Sequence, residues 1–478
     1  MYAADMGRAD HLPGDGPTVA IIGGGASGTL AAAQLLRRAA AAVLPLRVVL
    51  IDRDGRHGLG RAYSTTYPCH LLNSPAGRMS ALPGDPGHLA RWAQAEGIAH
   101  DGFLARRDYG RYLSGLLADA QRRAWPTAQL SCITADVTSA AQPGPGRPLR
   151  LGLAGGAGPV EADIAVLATG SLPPGAPCPV PAGPRYVADP WAPGALDGTG
   201  DGRSVIIIGT GLTMLDLAMA VTDANPETVV HAVSRHGLLP REHRGAPVPG
   251  HPPVPAIPAL AGGPLRLAAL VRQVRSAAAQ HPGDWQDVID VLRPQVPALW
   301  QRLPAGDQRL FLRRYARYWE VHRHRVPPAT AGRIARLRAA GRLHVRSGQI
   351  VAASGGPDGV RVSVAHAGTV TDLDAGWLIN GTGPAADITA AAGPLLGGLL
   401  ASGLARPDPL RLGLDADADG AVIDAAGRAG DRIFALGPPL RGTRYETTAI
   451  TEIASQAEAL ARHLVTVSPV LARPGSAA

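Results

Sequence analysis

Two short stretches constrain this chain more than anything else in it. Residues 19–31 read VAIIGGGASGTLA, and residues 204–220 read SVIIIGTGLTMLDLAMA. Each is an apolar run that ends in a glycine turn and passes into a helix of small residues. A strand, a tight turn and a helix in that order leave main-chain N–H groups at the helix N-terminus pointing into the turn, where a phosphate can sit. A chain that contains this pattern twice is expected to form two such βαβ units.

In the first stretch Gly23, Gly25 and Gly28 form G-x-G-x-x-G. The first glycine allows the turn, the second admits a pyrophosphate close to the backbone, and the third lets helix and strand pack tightly. Ala26 and Ser27 then open the helix. The next apolar run, LRVVLIDRD, closes on Asp52 and Arg53, and a carboxylate there can accept hydrogen bonds from a ribose diol. Together these features read as a dinucleotide site. A degenerate turn without ligand would leave the terminal acid unexplained.

The second stretch repeats Gly209 and Gly211, but Met214 stands at the third glycine position. Leu212 and Thr213 open its helix. Its following strand ends in Ser234-Arg235-His236 rather than in an acid. An acid would repel a 2′-phosphate, whereas arginine pairs with one, so the second site reads as built for NADPH. The competing reading makes Arg235 an ordinary surface arginine at a strand end.

Composition narrows the function classes. With 478 residues, 46% hydrophobic and 18% charged, the chain is globular and long enough for two or three domains. Aromatics make up 4%, too few for a long base-stacking surface. The +8 net charge comes from dispersed arginines, with no lysine anywhere, so nucleic acid is not the expected partner and lysine Schiff-base chemistry is excluded. Cys69, Cys132 and Cys178 are far apart, which excludes a Cys-x-x-Cys redox pair and fits a reducing cytoplasm. The first 17 residues lack the apolar segment of a signal peptide. Arg37 and Arg38 interrupt LAAAQLLRRAAAAVLPL too early for a membrane span. No metal site is expected, since His322 and His324, two apart on a helix, diverge. Self-association into a homo-oligomer is left open.

Beyond the second unit, residues 245–264 carry seven prolines and read as an irregular linker, followed by helix over about 265–340. There Asp284 is the expected N-cap of WQDVIDVL, with Asp287 in its first turn. Strands return at LHVRSG, VRVSVAH and WLINGTG. A last helix over about 449–465 presents Ile450, Ile453, Ala454, Ala457, Leu460, Ala461 and Leu464 on one face.

The segments VAIIGGGASG, LLNSPAGRMSALP, RRDYGRYL, VIIIGTGLTMLD, YWEVHRHR and LGPPLRGTRYETTAI resemble the bacterial FAD/NAD(P)-binding flavoprotein family. That family contains flavin-dependent monooxygenases, among them urate-hydroxylase-like and amino-acid N-hydroxylating members. The resemblance implies an α/β fold of two Rossmann-like dinucleotide-binding domains. The NADPH domain (176–385, including the helical insertion 265–340) would be inserted in an FAD domain built from 17–175 and 386–478.

It further implies FAD and NADPH as cofactors, with O₂ and a small polar molecule as substrates. The expected reaction is amine N-hydroxylation or heteroaromatic hydroxylation through a flavin C4a-hydroperoxide. Val137, Thr169, Gly170, Gly383, Gly437 and Thr448 would lie along the nucleotides. Asn73 would be the catalytic residue at the flavin edge, bordered by Arg78 and Met79, unless it is only a turn asparagine. Two departures stand out. The F-x-G-x-x-x-H fingerprint of Baeyer–Villiger enzymes is absent. Pro438 occupies the place where many relatives have an aspartate on the flavin ribityl or phosphate, so Arg441, Arg444 or the helix near Thr448 would replace it. YARYWEVHRHR is either an anion-binding wall or a structural arginine network, and the second is favoured. The competing function is an FAD-dependent NADPH reductase without oxygen transfer; a nucleotide-binding sensor without turnover is a third.

Overall fold

The computed structural model describes residues 16–144, 146–156, 158–178, 180–181, 183–244 and 253–471. Residues 1–15 of the leader and 245–252 of the proline-rich stretch lie outside the described residues. In chain order the elements that position the site are β1 (Thr18–Ile22), α1 (Ala26–Ala41), β2 (Leu46–Asp52), α2 (Arg106–Ala124), β3 (Ala128–Thr134), β4 (Ile164–Leu167), β5 (Tyr186–Val187), β6 (Val205–Ile208), α3 (Leu212–Ala224), β7 (Val230–Ser234), α4 (Trp285–Leu292), α5 (Ala316–Arg323), α6 (Pro328–Ala339), β8 (Leu343–Ser347), β9 (Trp377–Asn380), β10 (Ala421–Ile423), β11 (Ala429–Ala435) and α7 (Ile450–Thr466).

These strands build two parallel sheets of the same plan. The first runs β10-β11-β4-β1-β2-β3, and the second runs β8-β7-β6-β9-β5. Only β10 pairs antiparallel, at the edge. In each sheet the glycine-turn strand is central: β1 lies between β2 and β4, and β6 between β7 and β9. Every strand of the second sheet falls, in sequence, between β4 and β10 of the first. The second dinucleotide fold is therefore inserted in the first.

Both central strands are buried along their whole length, as a strand covered on two faces must be. α1 packs against α2 and α7. All seven residues expected on the apolar face of α7 are buried, and they are the helix's buried set. Burying each of its isoleucines and leucines contributes about 1.5–3 kcal/mol. The glycine turns are equally determined: Gly23 and Gly209 have φ of 108° and 109°, open to glycine but strained for other residues. A Cβ on Gly23 would strike the Ala168 carbonyl, and one on Gly209 the Gly381 carbonyl.

Helices run between residues 267 and 339, where about 265–340 was expected, and a short helical turn, Pro258–Ala261, stands in the stretch read as linker; the last of these helices belongs elsewhere. Ile334 and Leu337 of α6 join the core of the second sheet, so α6 is the crossover helix of that sheet. An antiparallel three-stranded sheet over 137–162 escaped the sequence reading, and of a second over 349–375 only the middle strand, VRVSVAH, was expected.

The helices before α6 are fastened to the C-terminal segment by a buried ionic network. Arg323 pairs with Glu446 at 3.1 Å, both side chains 4% exposed, and Trp319 donates to the same carboxylate at 3.0 Å. Arg293 grips Glu452 with two bonds of 2.8 and 2.9 Å. Arg325 pairs with Asp290 and bonds Gln286. Arg323 and Arg325 thus form the structural network favoured for YARYWEVHRHR. Removing one partner of a buried pair leaves the other unpaired, at a cost of about 3–5 kcal/mol. Arg323→Met should therefore lower unfolding free energy by about 3 kcal/mol in urea melts. Arg323→Met/Glu446→Gln should recover part of that loss, and a single variant as stable as the parent would contradict the account.

Candidate functional site

The two sheets face one another across a cleft of about 620 Å³. Its floor is the first glycine turn, with Gly23, Gly25, Ala26 and Ser27 exposed to it. Gly25 is the N-cap of α1 with no side chain capping the helix, and no acidic residue stands in the first turn. The leading N–H groups and the positive end of the helix dipole are left for an anion. Gly28 is buried behind this turn; a Cβ there would collide with the Gly23 carbonyl, which explains the third glycine.

At one end stand Asp52, Arg53 and Val137. The Asp52 carboxylate is already oriented, accepting from the N–H groups of Gly24 (2.9 Å), Asp54 (3.0 Å) and Arg56 (3.1 Å). Thr169, Gly170 and Gly383, on the two crossovers between the sheets, form the middle wall. The Thr169 hydroxyl is buried there without a hydrogen-bond partner among the described residues. Thr448 closes the far end just before α7. An uncapped helix, a fixed carboxylate and an orphaned hydroxyl fit a dinucleotide lying along this cleft.

The second unit reaches the same cleft through Leu212 and Thr213, the first residues of α3. α3 also lacks a side-chain cap, its N-cap being Gly211. Met214, where a third glycine was absent, is fully buried in the second core. Gly209, Gly211, Ser234 and Arg235 are not among the residues walling the cleft. Ser234 shapes the second turn, its hydroxyl bonding Thr210 at 2.8 Å and accepting from Gly237 N–H at 3.0 Å. Arg235 is exposed. Burial and the charges of Arg317 and Arg235 hold the His236 imidazole below its ordinary pKa. The sequence reading had missed Arg317 in this place.

The Asn73 loop runs beside the cleft, against the helical layer. Asn73, Arg78 and Met79 do not wall the cleft; the short helical turn Ala76–Arg78 swings the loop against the helical layer. The Asn73 carbonyl accepts from His243 Nε2 at 2.9 Å, Arg78 pairs with Asp290 of α4 at 2.8 Å, and Met79 is buried in the first core. Gly437 packs behind Ser27 rather than forming wall, and Arg444 is held by the Ala418 carbonyl at 2.7 Å.

Several wall residues carried no expected role. Arg106, at the start of α2, forms a 2.7 Å ion pair with Asp216 of α3, joining the two folds at the cleft. Burial raises the Asp216 carboxyl pKa, opposed by the Arg106 and His70 charges. His70 bonds the Asp216 carbonyl at 3.2 Å and Thr65 at 2.7 Å. RRDYGRYL held the signal for Arg106, but its partner lies in the other fold.

Residues 20–172 match a sequence family described as FAD-NAD(P)-binding. No curated protein sequence matches the chain. Among solved structures the chain is similar to the ornithine N-hydroxylase of Kutzneria sp. 744, with 19% identity, 93% of this chain and 97% of that one covered, and a TM-score of 0.59. It is similar to L-lysine 6-monooxygenase from Pseudomonas syringae, at 18%, 94% and 99%, and 0.64. It is also similar to the FAD-bound cadaverine monooxygenase of Erwinia amylovora, at 13%, 96% and 96%, and 0.62. These likenesses establish the two-dinucleotide-domain flavoprotein fold over nearly the whole chain. No described helix is long and apolar enough to cross a membrane.

The His243 contact generates a pH test. Burial holds its imidazole down to about 4, although the bond to Asn73 favours the charged ring. The unfolded chain, with an ordinary histidine near 6.5, binds a proton between about pH 6.5 and 4 that the native ring refuses. This contribution to stability is full above about pH 6.5 and is lost as pH falls toward 4. His243→Gln keeps an N–H for the Asn73 carbonyl and removes the titration. Urea midpoints should drop less between pH 7 and 4.5 in the variant than in the parent, and equal drops would refute the assignment.

Proposed function

We propose that the chain is an NADPH-dependent FAD monooxygenase that N-hydroxylates a small amine. The observation that carries this reading is one cleft receiving two uncapped helix N-termini, Ala26–Ser27 from the first fold and Leu212–Thr213 from the second. FAD fits along the first turn: Gly25 and the α1 terminus take the pyrophosphate, Asp52 the ribose, and Thr448 with the α7 terminus the flavin end. NADPH fits the second turn with Arg235 and Arg317 on its 2′-phosphate. Bound flavin supplies hydride acceptance and activation of O₂; the protein supplies position and exclusion of water. The similar structures named above act on ornithine, lysine and cadaverine, which favours an amine over a heteroaromatic ring. The three free cysteines support a cytoplasmic setting.

The test is to purify the protein, measure its FAD, and follow NADPH consumption in air with ornithine, lysine, cadaverine and related amines. Hydroxylated product in step with NADPH supports the proposal. Reduction of an external acceptor with no oxygenated product from any amine would replace it with the reductase reading. Asn73 is decided in the same assay. If its amide reaches the flavin edge, Asn73→Ala releases more hydrogen peroxide per NADPH while flavin reduction stays within a few-fold; unchanged coupling assigns Asn73 to the turn.

For Arg235, a charge-assisted bond to the 2′-phosphate is worth about 1.5 kcal/mol at an exposed site. Arg235→Ala should raise KM for NADPH about tenfold and leave that for NADH nearly unchanged. An equal loss for both would make Arg235 structural.

A further inference from the structure

A second cavity of about 260 Å³ opens beside the cleft and shares with it Thr169, Leu172, Pro384, Pro438 and Thr448. It runs on between α5 and the segment 441–446. It has room for a small organic molecule rather than a single water. Ile388, Leu396 and Leu412 make much of its wall apolar, so its few polar groups decide what it binds.

Beyond Thr169, Ser171 and Thr448, which it shares with the cleft, those groups are Glu446, Arg441, Glu320, Tyr445 and His324. Glu446 is engaged by Arg323 and Trp319, as described above. Arg441 is not engaged to the same degree: its one ion-pair contact among the described residues is with Glu320, at 3.5 Å, and that glutamate side chain is 46% exposed. Arg293 on Glu452, with two bonds under 3 Å, shows what a satisfied fork looks like in the same protein. Arg441 lies over the Tyr445 ring, its guanidinium carbon 5.8 Å from the centroid, and with only that long ionic contact its N–H edge can take a better acceptor.

Tyr445 is the second observation. Its φ of 57° lies in the left-handed region, a strained conformation for a tyrosine. The strain is held by stacking on Trp300 (centroids 4.7 Å apart), whose indole N–H donates to the Gly442 carbonyl at 2.7 Å. The residue is 7% exposed, and its buried hydroxyl has the Arg441 guanidinium beside it but no acceptor for its own proton among the described residues. Burial holds that phenol protonated, so it is a donor in want of an acceptor. His324 stays neutral, held down to about 3 by burial and by Arg323, Arg293 and Arg441. The set offers a permanent cation and a phenol donor. Its other carboxylate, Glu320, is held by the 3.5 Å contact to Arg441 and is partly open to solvent.

We propose that this cavity is a substrate chamber and that it takes its ligand by a carboxylate seated on Arg441 and Tyr445, displacing Glu320. The assignment of the ligand as substrate rests on the monooxygenase reading of the adjoining cleft; the binding itself does not.

The test uses FAD-loaded protein and calorimetric titration with benzoate and benzamide, probes of equal size that differ in charge. Benzoate should bind at least tenfold more tightly. Arg441→Gln should abolish that preference, Tyr445→Phe should weaken benzoate several-fold, and Glu320→Gln should tighten it by freeing Arg441. Equal binding of the two probes, or of neither, would overturn the chamber. So would unchanged benzoate affinity in Arg441→Gln, or a loss in Glu320→Gln matching that in Arg441→Gln. FAD content and NADPH-driven bleaching, read on each sample before titration, separate the outcomes: their failure sinks the monooxygenase reading, and their retention without benzoate binding sinks the chamber alone.

Discussion

Two glycines hold this structure in its form. Gly23 and Gly209 end the central strands of their sheets with φ of 108° and 109°, each with its Cα facing the carbonyl of a crossover strand. No side chain fits there, and no other residue adopts that angle without strain. Because each strand must end in this turn, the following helix begins at once, without a capping side chain, and its first N–H groups remain unspent. The cleft is the place where those unspent groups from both folds come together.

A pair of like folds does not by itself make a single site; their relative position does. Arg106 and Asp216 supply one tie at the cleft, between α2 of the first fold and α3 of the second. The helical layer supplies another, through Arg323–Glu446 and Arg293–Glu452 to the C-terminal segment and Arg78–Asp290 to the Asn73 loop. Buried ion pairs add little net stability, yet leaving one half unpaired is costly, so they disfavour other arrangements of the same parts. The same network builds one wall of the second cavity, which places ligand binding and domain architecture on shared residues.

Features set by local pattern were legible in the sequence. The glycine spacing located both turns, the 3.6-residue period of α7 named its buried face residue by residue, and Asp284 caps α4, accepting from Gln286 N–H at 2.8 Å. The inserted order of the folds was what the family resemblance implied, and the strand order of the two sheets agrees with it. Features that depend on partners remote in the chain were not legible. Arg106 and Asp216 carry no mutual signal, and the outer strands Val137–Ala141 and Thr369–Ala375 of the two antiparallel sheets are largely exposed and weakly patterned, unlike the alternating Val360–His366 that the sequence did show. Asn73 was placed from a motif alone, which could not reveal that Ala76–Arg78 turns its loop toward α4.

The central claim is that both nucleotides meet in one cleft. Anaerobic mixing of the FAD-loaded protein with NADPH, followed through flavin absorbance, tests it most directly. Bleaching is expected to be complete, with a rate that saturates in NADPH concentration. Tightly bound FAD that neither NADPH nor NADH reduces would show that the two turns do not serve one site, and would contradict it.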